Sequence, residues 1–374
     1  MAPVRILQMV GHLGYAGLEM AIVNLYRNLD RERFQFDFVV TDLERKRFDD
    51  EIEACGGVIH RLPNRSRHPL AYYRALKRLL DRHGYPIFHC NTNSAGAFLD
   101  LLAARRAGVP ARICHSHASN CLLRGQHHLF KGLLDTVVTH RLACSSQAAR
   151  WMFGKRAGEA AVLRNGIDIE RFRFDPGTRA RIRQQLGLGG GPWFGHVGNF
   201  QVNKNQAFAL EVFAALRGHH PDAGMLFIGE GPERERVRAQ AARLGLAGAV
   251  RFLGNAGNVP ECLQALDGMI FPSLFEGFGL VLVEAQASGL PVLSSDTVPP
   301  EVALSDSIRF ASLQEPAEAW AARLLDLMDA RAERARGAEQ VRAAGYDIRE
   351  QARWLEGFYS DLLAVSPMVM ETTP

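Results

Sequence analysis

Short apolar runs alternate along the chain with longer segments in which apolar residues recur at helical spacing. In the first half, the runs that predict strands are residues 5–10, 34–40, 58–62, 87–90, 111–115 and 141–144. The segments between them that predict helices include residues 18–29, 71–82, 95–107 and 129–138. In the second half, strands are predicted at residues 193–197, 225–228, 250–252, 269–271, 291–293 and 308–310. This alternation is typical of parallel sheets with helices on both faces, so it predicts an α/β fold with two doubly wound domains.

The join between the two domains is predicted between Asn165 and Asp175. An Asn-Gly-Ile-Asp turn occupies residues 165–168, and an Asp-Pro-Gly breaker occupies residues 175–177. We therefore predict a first domain over residues 1–168, a second over residues 169–347, and a last helix over residues 348–364.

The second predicted domain carries two glutamates, Glu276 and Glu284, on either side of a Gly-Phe-Gly turn. The turn opens a helix, and Gly277 and Gly279 leave backbone N–H groups uncovered at its N-terminus, where an anion is favoured. Because a carboxylate repels a phosphate, the glutamates are better suited to accept hydrogen bonds from hydroxyls on either side of it. A diphosphate between a sugar and a ribose fits this spacing, which predicts a nucleotide-sugar site. The alternative is an ordinary strand–turn–helix unit with Glu284 on a solvated face.

This segment resembles the donor-site signature of the retaining GT-B glycosyltransferases of glycosyltransferase family 4, which have two glutamates separated by seven residues. It is most similar to the branch that builds bacterial exopolysaccharide and capsule. The resemblance implies two Rossmann-like domains facing a cleft, with the donor in the second, the acceptor in the first, and a C-terminal helix that crosses back. The donor-binding residues that it implies in this segment are Glu276, Gly277, Phe278, Gly279, Leu280 and Glu284. Glu276 also receives a catalytic role.

A second candidate loop follows the first strand of the second domain and contains three donor-binding candidates, Gly198, Asn199 and Lys204. A fixed ammonium before a helix can neutralise charge that grows on a leaving diphosphate, so Lys204 is predicted to be both catalytic and donor-binding. The family usually places an arginine directly after the glycine, whereas this chain has Asn199. A surface lysine without a role is the alternative.

Two further glycine turns resemble family motifs. Gly229 and Gly231 lie in a Gly-Glu-Gly-Pro turn that the resemblance assigns to the donor sugar and diphosphate, although a plain turn before a helix accounts for it nearly as well. In the first domain, Gly14 is a donor-binding candidate in a loop whose residues 16–19 loosely match the family's Gly-Gly-x-Glu turn. Asp42 after the second strand suggests a dinucleotide site instead, but the glycine spacing differs from the nicotinamide fingerprint.

Two histidines, His115 and His117, end the fifth predicted strand. Residues two apart share a face of a strand, so both imidazoles can point into one cleft at its carboxyl end. The family places a histidine here close to the donor sugar and acceptor, and both residues are therefore catalytic candidates. A histidine that caps the strand without a catalytic role is the alternative for each.

The cysteines and the charge of the chain indicate in which cellular compartment the protein works and which kinds of partner it binds. The six cysteines have no Cys-x-x-Cys pair or zinc-like spacing, so they predict buried thiols in the reducing cytoplasm. No metal site is predicted, and no long uncharged apolar stretch predicts a transmembrane helix. Residues 1–168 contain 24 basic and 15 acidic side chains, a net charge of +9, whereas the remainder is acidic. Nothing resembles a nucleic-acid module.

Basic and apolar residues also recur together in residues 71–82 and 122–134, which predicts a peripheral contact with an anionic membrane at its inner face. The alternative is that their leucines pack on the domain's own sheet. Taken together, the sequence predicts a retaining, metal-independent glycosyltransferase without a cofactor. It would move a hexose from a nucleotide-diphosphate sugar to a glycan or lipid-linked oligosaccharide acceptor. A nucleotide-sugar-binding protein without transferase activity, and a GT-B epimerase or phosphorylase, are the alternatives.

Overall fold

The computed structural model describes residues 2–14, 17–118, 120–121, 124–329 and 334–365. Their chain forms two compact units, the residues up to Gly166 with those from Ile348, and the segment Ile167–Asp347. The change of unit falls inside the Asn-Gly-Ile-Asp turn. A Cβ at Gly166 would lie only 2.9 Å from the Cα of Ile348, so this glycine allows the two backbone segments of the first unit to approach closely.

The first unit is built on seven parallel strands in the order β3-β2-β1-β4-β5-β6-β7. The strands are β1 (Val4–Gly11), β2 (Phe34–Val40), β3 (Ile59–Arg61), β4 (Ile87–Thr92), β5 (Ala111–Ser116), β6 (His140–Ala143) and β7 (Ala161–Val162). Its helices are α1 (Gly17–Asn28), α2 (Asp49–Ala54), α3 (Pro69–His83), α4 (Phe98–Arg106), α5 (Arg124–Leu134) and α6 (Ser146–Phe153). Strand β4 runs two residues beyond its predicted end, because Asn91 and Thr92 still pair with His115 and Ser116 of β5. Polar side chains are thereby carried into the buried end of the sheet.

The second unit contains six parallel strands in the order β10-β9-β8-β11-β12-β13. They are β8 (Trp193–Val197), β9 (Gly224–Ile228), β10 (Val250–Phe252), β11 (Gly268–Phe271), β12 (Val292–Ser295) and β13 (Ile308–Ala311). Its helices are α7 (Ile169–Phe172), α8 (Pro176–Gln185), α9 (Gln206–His219), α10 (Arg234–Arg243), α11 (Val259–Ala265), α12 (Leu280–Ala287), α13 (Ala317–Asp329) and α14 (Gly337–Ala343). Short 3-10 turns span Ala95–Ala97, Gly154–Glu159, Val202–Lys204, Pro300–Val302 and Arg334–Arg336. The two parallel, helix-covered sheets confirm the predicted fold class.

The C-terminal helix α15 (Ile348–Val365) belongs to the first unit and packs against α1. Its apolar face enters the same core as β1 and β2, and Tyr359 is completely buried there. The Tyr359 ring lies 5.7 Å from the ring of Phe34 and 6.2 Å from that of Phe36. A polar hydroxyl is thus placed beneath the sheet of the first unit.

Candidate donor site and buried polar network

Lys204 and Glu276 form an ion pair at the carboxyl edge of the second sheet. Lys204 Nζ donates to Glu276 Oε1 at 2.5 Å, and Ser273 Oγ donates to the same oxygen at 2.8 Å. The Lys204 and Glu276 side chains are only 17% and 10% exposed, so the pair is largely shielded from water. The ammonium also lies 5.1 Å above the centre of the Phe271 ring. Two predicted site residues that are distant in sequence are therefore in direct contact.

Sheet order explains why their loops meet. Strands β8 and β11 are neighbours and run parallel, so the loops that follow them leave from the same edge. Leu274 N donates to Asn203 O at 2.7 Å, which joins the two loops through the backbone. Buried His196 contacts the Lys204 carbonyl through Nε2 at 3.3 Å, and burial lowers the pKa of this imidazole to about 3. His196, which sequence reasoning missed, therefore supports the Lys204 loop as a neutral side chain.

Close backbone packing leaves no room for a side chain at the predicted donor glycines Gly229 and Gly231. A Cβ at Gly229 would lie 2.1 Å from Gly198 O, and one at Gly231 would lie 2.4 Å from Phe200 O. Both residues have φ values that side chains disfavour. The loops after β8 and β9 therefore pack backbone against backbone. Asn199 lies exposed beside Gly198, and its carbonyl accepts from Gln206 Nε2 at 3.0 Å.

The Gly-Phe-Gly turn leads directly into α12. Gly279 precedes the helix in the left-handed conformation, with φ 87° and ψ 56°, while Gly277 and Leu280 are partly exposed. The Phe278 ring is buried and stacks on Tyr346 at 5.6 Å. This places the Phe278 side chain in the core of the unit, so that only its backbone remains for a ligand.

Glu284 lies in the second turn of α12 and is partly buried. Burial raises the pKa of its carboxyl from 4.5 to about 8, and the charge of Arg171 only partly opposes that effect. A carboxyl in this state is largely protonated at neutral pH. Hydrogen-bond donors from a ligand would favour its ionised form and lower the pKa again.

In the first unit, His115 and His117 belong to a buried polar network at the ends of β4 and β5. Their ring centres are 3.9 Å apart, and both side chains are buried. His115 Nδ1 lies 3.1 Å from His89 Nε2, and His117 Nε2 lies 3.0 Å from Asn91 Oδ1. The sequence predicts that both imidazoles point into one cleft. The structure brings them together at the strand end but buries both, and their catalytic role stays a prediction.

Desolvation keeps these imidazoles uncharged. Burial lowers the pKa of His89 to about 3 and that of His117 to about 4, and it lowers the pKa of His115 well below its ordinary value. The charge of His117 would add to the shift at His89 and His115, whereas the Asn165 side chain partly opposes the shift at His117. All three are therefore neutral around pH 7.

Gly14 lies in the loop after β1, where sequence reasoning missed a neighbouring pair. His12 Nε2 lies 3.1 Å from Glu19 Oε1, and the His12 side chain is 57% exposed while that of Glu19 is buried. Burial raises the pKa of Glu19, and the charge of His12 partly opposes this. The signal was available, since His12 directly follows the end of a strand, where ligands bind in such sheets. Residues 15 and 16 of this loop lie outside the described residues.

Within the part of the chain that the structure describes, no group of three or more metal-ligating side chains is found. Over the same residues, no helix is long and apolar enough to cross a bilayer.

Two family models match the chain, one for each unit. The model described as "Glycosyltransferase Family 4" matches residues 15–171, and that described as "Glycosyl transferases group 1" matches residues 178–344. The chain is also 32% identical over 372 residues to the Bacillus subtilis protein EpsF, whose name describes a glycosyltransferase. This match covers 95% of the chain and 96% of EpsF. The chain therefore belongs to the group 1, family 4 glycosyltransferases, as the resemblance of its donor segment implies.

Particular relatives refine the comparison. A GDP-mannose-dependent phosphatidylinositol monomannoside mannosyltransferase of Mycolicibacterium smegmatis is 28% identical over 240 residues, covering 59% of this chain and 60% of that protein. Among solved structures, Anabaena HepE in complex with UDP has a TM-score of 0.79 at 20% identity, covering 96% of this chain and all of HepE. Sucrose-phosphate synthase of Thermosynechococcus elongatus has a TM-score of 0.75 at 19% identity, covering 97% of this chain and all of that one. These two structures support the GT-B fold.

Proposed function

We propose that the protein is a retaining glycosyltransferase that needs no metal ion or cofactor. It transfers a hexose from a nucleoside diphosphate sugar to a glycan or lipid-linked oligosaccharide acceptor in the synthesis of a bacterial exopolysaccharide. The proposal makes it a cytoplasmic enzyme that works at the inner face of the membrane. UDP in the HepE structure favours a uridine nucleotide as the first donor to test.

The observation that carries the proposal is the Lys204–Glu276 pair beside the turn that opens α12. An ammonium, a helix N-terminus and a partly desolvated carboxylate are thereby gathered at the carboxyl edge of one sheet. The first two favour a diphosphate, and the carboxylate accepts hydroxyl hydrogen bonds. Glu284, on the same helix, is then free to accept from the ribose of the nucleotide.

In the proposed reaction, the bond between the sugar's anomeric carbon and the diphosphate oxygen breaks, and the electron pair leaves with the diphosphate. Lys204 and the α12 N-terminus stabilise this charge as it forms. The acceptor hydroxyl attacks the anomeric carbon on the face that the diphosphate leaves, and its proton passes to the departing phosphate oxygen. This route preserves the anomeric configuration and requires no side-chain base. Glu276 orients the sugar through its hydroxyls.

The experiment is a donor panel followed by product analysis. Nucleoside diphosphates and their hexoses are first screened by thermal shift, because a ligand of the native state raises the melting temperature. Release of nucleoside diphosphate is then measured with glycan and lipid-linked acceptors, with and without EDTA, and proton NMR gives the product anomer. An inverted anomer would contradict retention. Activity lost with EDTA and restored by magnesium would contradict metal independence.

A nucleotide-sugar-binding protein without transferase activity is the second candidate, and Asn199 favours it. The missing arginine removes one positive charge from the loop that would stabilise the leaving diphosphate. Tight donor binding with neither transfer nor hydrolysis, across a broad acceptor panel, would support this second candidate.

The membrane part of the proposal rests on α5. Leu129 and Leu133 lie one turn apart and are 72% and 45% exposed, and Arg124 is exposed on the same helix. Lys131 instead turns inward and donates to the Trp151 carbonyl, so it adds little to this surface. Residues 122 and 123 of the predicted segment lie outside the described residues. In α3, Leu76 and Leu80 are buried in the unit's own core, so we place the contact on α5 alone.

Liposome co-sedimentation tests this surface. Recovery with vesicles should require anionic lipid, fall as salt is raised, and drop when Leu129 and Leu133 are both replaced by serine. Serine at exposed Leu244 of the second unit is a matched control. Equal recovery in the supernatant with and without vesicles at low salt would refute the membrane contact.

A further inference from the structure

The polar network of the first unit continues from the histidines across the sheet to the C-terminal helix. Tyr359 of α15 contacts His89 Nδ1 through its hydroxyl at 2.7 Å, and Gln8 Nε2 of β1 donates to the same hydroxyl at 3.0 Å. Asn91 Nδ2 donates to Gln8 Oε1 at 2.9 Å. Residues from β1, β4, β5 and α15 therefore share one connected set of hydrogen bonds in the interior.

Asn91 anchors the direction of every hydrogen bond in this set. Its Nδ2 atom lies 3.3 Å from Met9 O and 3.4 Å from His89 O, in addition to Gln8. Backbone carbonyls can only accept, so this end of the amide must be the NH₂ group. The Asn91 oxygen then faces His117 and can only accept, which places the proton of His117 on Nε2.

The orientation of the Gln8 amide likewise determines the proton positions that lead to His115. The Gln8 oxygen accepts from Asn91, so its NH₂ group donates to the Tyr359 hydroxyl. Among the described residues, His89 Nδ1 is the other partner of this buried hydroxyl, so the hydroxyl satisfies its own proton by donating it to His89 Nδ1. Because His89 is neutral, its own proton lies on Nε2 and is donated to His115 Nδ1. The proton of neutral His115 is left on Nε2 as well.

We propose that Asn91 and Tyr359 are positioning residues that hold His117 and His115, respectively, in the single tautomer protonated on Nε2. The proposal rests on the proposed function and on the sequence-based expectation that a histidine at this strand end takes part in catalysis. With Nε2 donating to Asn91, the only other ring nitrogen of His117 carries a lone pair. This second nitrogen, Nδ1, is buried, and the Asn165 side chain also interacts with the ring. Nδ1 can therefore accept a hydrogen bond, but it cannot donate one to a phosphate or carbonyl oxygen.

Through Tyr359, the C-terminal helix α15 helps to fix the tautomer of His115, a role that the sequence of the helix does not suggest. Tyr359 acts on His115 through His89, which it contacts directly. The titratable groups of the network are the three imidazoles and the Tyr359 phenol, and burial keeps all four in their uncharged forms. The tautomers are consequently fixed by hydrogen-bond geometry over the working pH range.

Imidazole ¹⁵N shifts, which distinguish the two tautomers and the charged form, test the proton arrangement without reference to activity. Protein labelled at histidine is measured from about pH 5.5 to 8.5, the range in which an imidazole with the ordinary pKa of about 6.5 titrates. Signals are assigned with single His→Gln variants. We expect His89, His117 and His115 to be protonated on Nε2 throughout. Protonation of His117 or His115 on Nδ1, or titration of either within this range, would overturn the proposal even in an active enzyme.

Two variants then test the positioning roles. Tyr359→Phe should shift the tautomer signals of His89 and His115, leave those of His117 in place, and lower kcat about threefold to tenfold with little change in KM. Ser360→Ala, which removes the neighbouring hydroxyl of the same helix, is the matched control and should change neither readout.

Asn91→Asp places a carboxylate against His117 Nε2, which should raise the pKa of His117 into the measured range and make turnover depend on it. Unchanged tautomers in Tyr359→Phe would overturn the role of Tyr359. A folded Asn91→Asp protein in which His117 neither titrates nor changes the pH profile would overturn the role of Asn91. Normal tautomers and shifts in a protein that transfers no sugar would instead count against the proposed function alone.

Discussion

Lys204 Nζ and Glu276 Oε1 are hydrogen-bonded at 2.5 Å in the second unit, although the sequence predicts that the two side chains contact different parts of the donor. Lys204 is predicted to face the diphosphate, and Glu276 the sugar. Because the pair is shielded from water, removing one partner leaves a charge that is poorly compensated. A donor that binds here must therefore offer each side chain a new partner, the phosphate for the ammonium and a hydroxyl for the carboxylate.

Replacing Lys204 tests the first half of that exchange. We expect Lys204→Ala to lower turnover by roughly 10²–10³, the scale for removing one preorganised electrostatic group. Lys204→Arg keeps the charge and should retain more activity than the alanine variant. Initial rates with saturating donor measure the effect. An alanine variant with most of its rate would show that Lys204 does not stabilise the leaving group.

Replacing Glu276 tests the second half. The amide of Glu276→Gln keeps the shape of the side chain and can still accept from Lys204, but it loses charge-assisted hydrogen bonds worth about 1.5–3 kcal/mol each. Turnover should fall, whereas calorimetry should give nearly unchanged affinity for the nucleoside diphosphate without its sugar. Ser273→Ala, which removes only the second donor to Glu276 Oε1, should have a smaller effect on turnover. An equal loss of diphosphate affinity in Glu276→Gln would place Glu276 at the phosphates instead.

The sequence predicts the positions of these residues better than their contacts. Lys204 and Glu276 each follow an apolar run, so pattern alone puts both at strand ends. The two side chains touch because β8 and β11 are neighbours in the sheet. The spacing of apolar residues does not predict the order of strands in a sheet. Strand β7 was missed for a simpler reason, because two residues are too few for any period to be visible.

The hydrogen bonds of the polar network in the first unit are harder to predict from the sequence. His115 and His117 could be paired because residues two apart share a strand face. Gln8 and Tyr359, however, lie at opposite ends of the chain and meet only because α15 packs on the first unit. Tyr359 reads as one more apolar position of an amphipathic helix, and burial alone does not reveal what its hydroxyl contacts.

Asn199 offers a gain-of-function prediction. Its side chain is exposed while its carbonyl is held by Gln206, so a longer side chain fits without disturbing the core. We expect Asn199→Arg to raise kcat/KM for the donor about fivefold to thirtyfold, since a charge-assisted hydrogen bond contributes ~1–2 kcal/mol. Asn199→Gln, with similar bulk but no charge, should not. No gain in the arginine variant at low salt would indicate that another cation already fills this role.

Glu284 should make the stability of the protein fall as pH rises. Its folded-state pKa of about 8 lies above its ordinary value of 4.5, so between these values the native state binds more protons than the unfolded state. The free energy of unfolding then decreases by up to about 1.4 kcal/mol per pH unit in this window. The buried histidines act in the opposite direction, but only below about pH 6.5. Urea unfolding at about pH 6.5 to 8 should show the decrease in the wild type and a clearly smaller one in Glu284→Gln, where Glu19, whose pKa is also raised, remains.

The same carboxyl should make nucleotide affinity rise with pH. Ribose hydroxyls donate best to an ionised carboxylate, so binding near neutral pH must release the proton of Glu284. Calorimetry in buffers of different ionisation enthalpy should detect close to one released proton at about pH 7, and affinity should increase up to about pH 8.

Glu284→Gln should bind the nucleotide almost as well as the wild type at about pH 6 but more weakly at about pH 9. Glu211→Gln, on an outer face of the same unit, is the control for a simple loss of charge. Affinity that does not change with pH in the wild type, or equal loss in Glu284→Gln at both pH values, would show that ionisation of Glu284 is not linked to nucleotide binding.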